Sequence, residues 1–74
     1  MKVTVKLFAT LRDGRFEVEV RQYDPKMTVR QVLEDLAIPE TDVKIVFVNN
    51  RHAKLDRVLA DGDVLGIFPP IGGG

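Results

Sequence analysis

The stretch Thr28–Ala37, TVRQVLEDLA, decides the fold because it carries the helical pattern of this 74-residue chain. Thr28 followed three residues later by Gln31 fits a capping box, so a helix is predicted to begin here. Pro39 ends it, because the residue before a proline avoids the α region. One apolar stripe lies between these signals, at Val29, Val32, Leu33, Leu36 and Ala37.

Segments with a strand-like pattern flank this helix on both sides. Asp13-Gly14 is a turn signal that joins the first two segments into a hairpin. Because one helix cannot cover two faces of a sheet, the sequence predicts an α+β fold, a twisted mixed sheet of four to five strands packed on one main helix. The predicted strands are 2–9, 16–21, 43–48, a short 52–55 and 64–68.

Phe8 is a large aromatic side chain on the predicted solvent face of the first strand. If the third strand directs Ile45 and Phe47 inward, Val46 and Val48 join Phe8 in an apolar surface. A surface of this kind marks a partner site. The alternative is that loops cover this face of the sheet.

The charge balance argues against two classes of partner. Eleven basic residues offset eleven acidic ones, so no excess positive field is available to bind nucleic acid or an anionic membrane. The sequence has neither the apolar core of a signal peptide nor a run long enough to cross a bilayer. We therefore expect a cytoplasmic protein.

Reactive side chains are scarce. The chain has no cysteine and one histidine, His52, which excludes thiolate chemistry and leaves no metal site to predict. The acidic pairs Glu34-Asp35 and Asp61-Gly62-Asp63 are interpreted as a solvated helix face and a structural turn. The composition thus favours a protein that does not carry out catalysis alone.

The C-terminal stretch IFPPIGGG, Ile67–Gly74, offers a different reactive group. Pro69 and Pro70 stiffen the exit from the last strand, and the six residues from there to Gly74 can extend about 20 Å. Terminal glycines fit a narrow channel and leave the Gly74 carboxylate unhindered. We predict a domain over residues 1–70 with a flexible tail over 71–74, although a frayed end or a cloning remnant would look the same.

An ionised carboxylate resists nucleophiles, so the tail requires activation, most simply by an enzyme that uses ATP to form an acyl adenylate. Four motifs then carry a family resemblance: LFATLR at Leu7–Arg12, VNN at Val48–Asn50, LADGDVLGIFPP at Leu59–Pro70, and the terminal Gly-Gly. Together they resemble the MoaD/ThiS family of ubiquitin-like sulfur carriers. The resemblance spans the whole chain and is strongest to the MoaD branch, the small subunits of molybdopterin synthase.

This resemblance implies a ubiquitin-like β-grasp fold and a carrier function. A MoeB-like adenylyltransferase would use ATP to adenylate Gly74, and a sulfur donor system would convert the adenylate to a thiocarboxylate. The tail would then insert into a MoaE-like large subunit, and sulfur would pass to a pterin precursor of the molybdenum or tungsten cofactor. The chain itself would bind no cofactor and act as the non-catalytic sulfur-donor subunit.

The resemblance also assigns site residues. Gly72 and Gly73 would insert with the tail, and the partner-binding residues would be Phe8, Arg12, Phe68, Pro69, Pro70 and Ile71. Three alternatives remain open: a sulfur carrier for thiamine thiazole synthesis, a ubiquitin-like protein modifier, and a noncovalent β-grasp binding module of the TGS type.

Overall fold

A computed structural model describes residues 1–70 of the chain. Five strands form one mixed sheet in the order β2-β1-β5-β3-β4, with β1 and β5 parallel and the other neighbours antiparallel. This arrangement confirms the predicted α+β class. The elements are β1 (Lys2–Leu7), β2 (Val18–Gln22), α1 (Val29–Asp35), β3 (Ile45–Val48), β4 (Arg51–His52) and β5 (Val64–Phe68), with short 3₁₀ helices at Ala9–Arg12 and Glu40–Asp42.

The helix begins as predicted and ends earlier than predicted. The Thr28 hydroxyl accepts from the Gln31 amide and the Gln31 side chain accepts from the Thr28 amide, which completes the capping box. At the other end, Ala37 has a φ of 55°, and the next amide, of Ile38, donates to the Leu33 carbonyl at 2.9 Å. This is a Schellman motif. It ends the helix before the residues whose conformation Pro39 restricts.

The hydrophobic core fills the space between α1 and one face of the sheet. The other side of the sheet, which does not contact α1, is called the open face below. On β1 the predicted alternation holds as far as Leu7, and the strand then gives way to the 3₁₀ helix, where Ala9 is exposed. The buried apolar residues are Val3, Val5, Leu7, Leu11, Val29, Val32, Leu33, Ile38, Val46, Val48, Leu59, Leu65 and Ile67.

The predicted orientation of β3 is wrong. Val46 and Val48 are buried in the core, and Ile45 and Phe47 lie half-buried on the open face. Odd-numbered and even-numbered residues of this strand are all apolar, so the alternation cannot show which set faces the core. Pairing with β5 assigns it, because Val46 and Val48 lie beside buried positions of that strand. The strand is also shorter than the predicted 43–48.

The exposed valines of β2 also depart from the simple alternation rule. Val18 and Val20 pair with Lys6 and Thr4 of β1 and share their position on the open face, where they are 53% and 60% exposed. Their charged neighbours instead point toward the helix side of the sheet. Apolar character on this strand therefore does not mark the core.

Tyr23 joins the end of β2 to the helix. Its hydroxyl donates to Asp35 Oδ2 at 3.0 Å, and Arg21 Nη2 lies 3.4 Å from the same oxygen. The pKa of Tyr23 is raised from 10.0 to about 12. Partial burial is the largest cause, and the hydrogen bond to Asp35 is the second. The hydroxyl is thus held in its neutral form as a hydrogen-bond donor.

Two turns complete the sheet. Asn49 and Asn50 both have positive φ, 52° and 67°, as a two-residue hairpin between β3 and β4 requires. Asp63 is 7% exposed and accepts from Asn49 Nδ2 at 2.9 Å and from the Ala60 amide at 2.8 Å. The short fourth strand lies at Arg51–His52 rather than at 52–55. No helix in the described part of the chain is long and apolar enough to span a membrane.

Candidate functional site

Four ring-bearing side chains cluster on the open face where the central strand β5 ends, and we call them the aromatic face: Phe8, Phe47, His52 and Phe68. The rings of Phe8 and Phe68 stack with centroids 4.0 Å apart and planes 6° from parallel. Phe47 lies edge-on to both Phe68, at 5.6 Å, and His52, at 4.8 Å. The four rings therefore form one continuous surface.

Strand register explains why these rings meet. Phe8 follows β1 directly, and its amide donates to the Ile67 carbonyl at 3.2 Å, which places its ring beside Phe68. Gly66 lies beneath the stack: a Cβ at this position would lie 3.5 Å from Phe8 Cε2 and 3.7 Å from Phe68 Cε1. A longer side chain at position 66 would have to displace the rings.

Arg12 is held next to this surface by the 3₁₀ helix that follows β1. Its Nε donates to the Leu7 carbonyl at 2.8 Å, and its guanidinium carbon lies 5.6 Å from the centre of the Phe8 ring. A cation at this distance from a ring is attracted to it. Glu17 also lies 3.5 Å from Arg12, in an exposed pair that contributes little to stability.

A groove of about 360 Å³ lies between the aromatic face and the exit of the chain. Lys44 lines this groove, and Lys6 lines a second hollow beside Phe8. Among the described residues, the strand positions on the open face include no carboxylate, although the whole chain is neutral. The groove is lined by Phe8, Ala9, Thr10, Lys44, Ile45, Phe47, Phe68, Pro69 and Pro70.

Most of the site residues named from the sequence lie together. Phe8 lies next to both Arg12 and Phe68, and Pro69 and Pro70 border the groove that Phe8 and Phe68 line. Ile71, Gly72, Gly73 and Gly74 lie outside the described residues, so their predicted roles stay predictions.

Sequence reasoning missed part of the surface. Phe47 was expected in the core, and Gly66 and Lys44 were not singled out. The information that was missing is the register of β3 against β5, in which Ile45 pairs with Phe68 and Phe47 with Gly66. That register places Phe47 on the same side of the sheet as Phe68.

A five-stranded mixed sheet on one helix, with an apolar face beside the exit of its central strand, defines the ubiquitin-like β-grasp class. The family model described as the ThiS family matches residues 5–74. The chain therefore belongs to the MoaD/ThiS family of ubiquitin-like sulfur carriers. No curated protein matches it at a significant level.

Three solved structures illustrate the likeness. A putative molybdopterin converting factor subunit 1 from Pyrococcus furiosus is 32% identical, with a TM-score of 0.77 over 96% of this chain and 99% of that chain. SAMP1 from Haloferax volcanii is 29% identical, with a TM-score of 0.76 over the whole of both chains. A complex of subunits 1 and 2 of the molybdopterin-converting factor from Helicobacter pylori contains a match that is 25% identical, with a TM-score of 0.66 over the whole of both chains.

Proposed function

We propose that this chain carries sulfur as a C-terminal thiocarboxylate on Gly74 and delivers it to a synthase that makes molybdopterin. The observation that carries the proposal is the position of the aromatic face. It lies where the central strand ends, beside Pro69 and Pro70, within a few residues of the terminal glycine. A partner that binds this face is thereby placed next to the tail.

Activation comes first in the proposed chemistry. A MoeB-like adenylyltransferase binds ATP, and a Gly74 carboxylate oxygen attacks the α-phosphorus. Pyrophosphate leaves, and the acyl adenylate remains. A hydrosulfide equivalent from the sulfur donor system then attacks the acyl carbon and displaces AMP, which leaves a thiocarboxylate. The chain supplies the carboxylate and the docking face, and the enzyme supplies the catalytic groups.

Docking of the large subunit uses the same face in this proposal. Apolar rings at its centre supply burial, and Arg12, Lys6 and Lys44 around them supply polar contacts at the rim. This division between an aromatic centre and a charged rim is common in protein interfaces. Support for a MoaE-like partner comes from the Helicobacter pylori relative, which was solved as a complex of subunits 1 and 2.

Molybdopterin synthesis is proposed over thiamine synthesis because of the relatives' printed names. Two of the three solved structures described above are molybdopterin converting factor subunits. The sequence Phe68-Pro69-Pro70 at the strand exit resembles the MoaD branch of the family and agrees with this choice.

The test reconstitutes the pathway with untagged chain, so that Gly74 keeps its carboxylate. The chain is incubated with the MoeB-like enzyme of its own organism, ATP and a sulfide source, and its intact mass is measured. We expect a mass increase equal to the exchange of one oxygen for sulfur, dependent on ATP. Addition of the MoaE-like subunit and the pterin precursor should return the original mass and yield molybdopterin. An unchanged mass after incubation with the MoeB-like enzyme, ATP and sulfide alone would contradict the proposal.

A second candidate is a protein modifier, favoured by the likeness over the full length of both chains to SAMP1, whose full name is small archaeal modifier protein 1. A modifier would use the same adenylate and transfer Gly74 to a lysine amine, with loss of AMP. The discriminating measurement is a search for Gly74 linked to lysines in proteins of the native cell, by mass spectrometry after digestion. Abundant conjugates without thiocarboxylate would favour the modifier.

A further inference from the structure

The outer edge of β2 is a second surface of this molecule, distinct from the aromatic face. Within residues 1–70, β2 forms one end of the sheet and pairs with β1 alone. The strand at the opposite end, β4, has two residues and offers little to pair with. Five residues are available on β2, from Val18 to Gln22.

The backbone of β2 leaves regular hydrogen-bonding groups at this edge. Tyr23 exchanges two hydrogen bonds with Met1, and the Glu17 carbonyl accepts from the Leu7 amide. The odd-numbered residues between Glu17 and Tyr23 therefore direct their amides and carbonyls toward β1. The even-numbered residues Val18, Val20 and Gln22 direct theirs outward. An added strand would find three donors and three acceptors in register.

Natural sheets usually protect such an edge. Proline, a bulge, or charged side chains that point inward from the edge strand disfavour pairing with a second strand. The sequence Val18-Glu19-Val20-Arg21-Gln22 has no proline, and its two exposed valines have high strand propensity. Its inward-pointing charges, Glu19 and Arg21, are of opposite sign, so they disfavour most added strands but match a strand with the reverse order of charges.

The order of those charges identifies the occupant. In an antiparallel pair of two β2 strands centred on Val20, Glu19 of each copy lies opposite Arg21 of the other. Within one chain Arg21 Nη1 lies 3.5 Å from Glu19 Oε1, and the two side chains are 31% and 47% exposed, so each can exchange this contact for the same contact with a neighbouring copy. We propose that β2 pairs with β2 of a second copy of this chain, so that two sheets join into one.

The register of this pair satisfies both backbone and side chains. Val20 lies opposite Val20, and Val18 opposite Gln22, as hydrogen-bonded pairs formed by the outward amides. Glu19 and Arg21 then fall on the intervening positions, where facing side chains are closest and opposite charges stabilise the pair. A register shifted by two residues would lose both Glu19–Arg21 pairs and would place two side chains of like charge opposite each other.

The geometry leaves the carrier surfaces free. The two-fold axis of such a pair is perpendicular to the sheet, so both aromatic faces lie on the same side of the joined sheet. Neither takes part in the contact, because β1 separates β5 from β2 in each copy. One strand pair buries far less than the ~1,200 Å² of a standard interface, so the dimer is concentration-dependent.

The test begins with the unmodified protein. In sedimentation equilibrium the average mass should rise with concentration from the 8.3 kDa of one chain toward twice that value. Hydrogen exchange should show the Val18, Val20 and Gln22 amides becoming more protected as concentration rises, with no such change at β4. A mass that stays at one chain in the millimolar range, or protection that rises elsewhere, would overturn the proposal.

Charge exchange tests the register. E19R places arginines on both sides of the contact, and R21E places glutamates there, so each variant alone should dimerise about tenfold more weakly or worse. Mixed in equal amounts, the two variants regain complementary charges and should form a heterodimer. E34R, which makes the same charge change on the exposed side of α1, should dimerise as the unmodified chain does.

Val20→Pro is the second variant, since R21E also loses its contact with Asp35. The Val20 amide points away from β1, so a proline there removes an outward donor while the β1 pairing stays intact. Its amide spectrum should remain that of the folded monomer at all concentrations. A folded Val20→Pro variant that dimerises normally, or E19R and R21E variants that do so separately, would refute the paired edge.

Discussion

The ring of Phe8 stacks on the ring of Phe68 although sixty positions of sequence separate them, and Gly66 provides the space beneath both. The parallel pairing of β1 with β5 brings the two residues together. Because neither ring belongs to the buried core, the stack is available to a binding partner. Substitution of Phe8 should therefore affect partner binding more than folding.

Phe8→Ala should weaken binding to the MoaE-like subunit by about 2 kcal/mol, or about thirtyfold, because aromatic residues dominate interface energies. The domain should stay folded and lose only about 1 kcal/mol, the scale of one aromatic pair. Titration calorimetry and thermal unfolding measure the two effects. Phe16→Ala is the control, since Phe16 packs against the core, away from this face, and should reduce stability without changing affinity.

Ala37→Gly should stabilise the protein. Ala37 has a φ of 55° at the end of α1, a conformation that costs a residue with a side chain about 1–2 kcal/mol and costs glycine almost nothing. After the greater freedom of glycine in the unfolded chain is subtracted, we expect a gain of about 1 kcal/mol in the free energy of unfolding. Ala60→Gly, at a position without positive φ, should destabilise instead. Urea denaturation of both variants would decide the matter.

Asp63→Ala should cost about 1–3 kcal/mol of stability, because it leaves the Asn49 amide and the Ala60 N–H without their acceptor in a buried turn. Asp61 accepts from the Lys2 amide at an exposed position, so Asp61→Ala should cost less. Both variants should carry sulfur normally where they are folded. Loss of sulfur transfer by a fully folded variant would show that these acids act in binding or chemistry.

Stability should fall at alkaline pH through Tyr23. Its pKa is raised from 10.0 to about 12, so its contribution is fully present below pH 10 and is lost as pH rises through 12. Tyr23→Phe should remove this part of the pH dependence. Tyr23 is the single tyrosine and the chain has no tryptophan, so tyrosinate absorbance reports its titration directly. A midpoint near 10 in the folded protein would contradict the prediction.

Gly74 variants test the chemistry without disturbing the domain. Deletion of Gly74 withdraws the carboxylate by about 3.3–3.6 Å, and misplacement of a reacting group by 1 Å can cost about a hundredfold in rate. Adenylate formation with the cognate enzyme and ATP should therefore collapse. An added alanine moves the carboxylate too far and introduces a Cβ, with the same result expected. Normal adenylation of both variants would favour a noncovalent binding module.

The sequence predicted those features that depend on local chemistry. The Thr28–Gln31 capping box, the Asn49-Asn50 turn and the alternation along β1 are each specified by neighbouring residues, and each is confirmed. The placement of Phe8 outside the core followed from the same alternation. The stacking of Phe8 on Phe68 did not follow from that alternation.

The rest depended on pairing between distant strands. The apolar run that contains Ile45 and Phe47 has no polar residue to mark its outer face, so its orientation came from its register with β5. Val18 and Val20 alternate with charged residues, yet this alternation does not mark the core face of β2. The charged side chains instead point toward the helix side, where Arg21 reaches Asp35. A single sequence carries no signal for either register.

The position of β5 has a consequence for synthesis of the chain. This strand lies between β1 and β3 at the centre of the sheet, yet among the strands of residues 1–70 it is the last to be synthesised. A chain terminated before Val64 would leave one hairpin on each side with no strand to join them, and isolated two-stranded hairpins are marginal in water. Folding therefore selects against truncated molecules. The cell would retain mainly chains long enough to include the segment that leads to the proposed sulfur-bearing end.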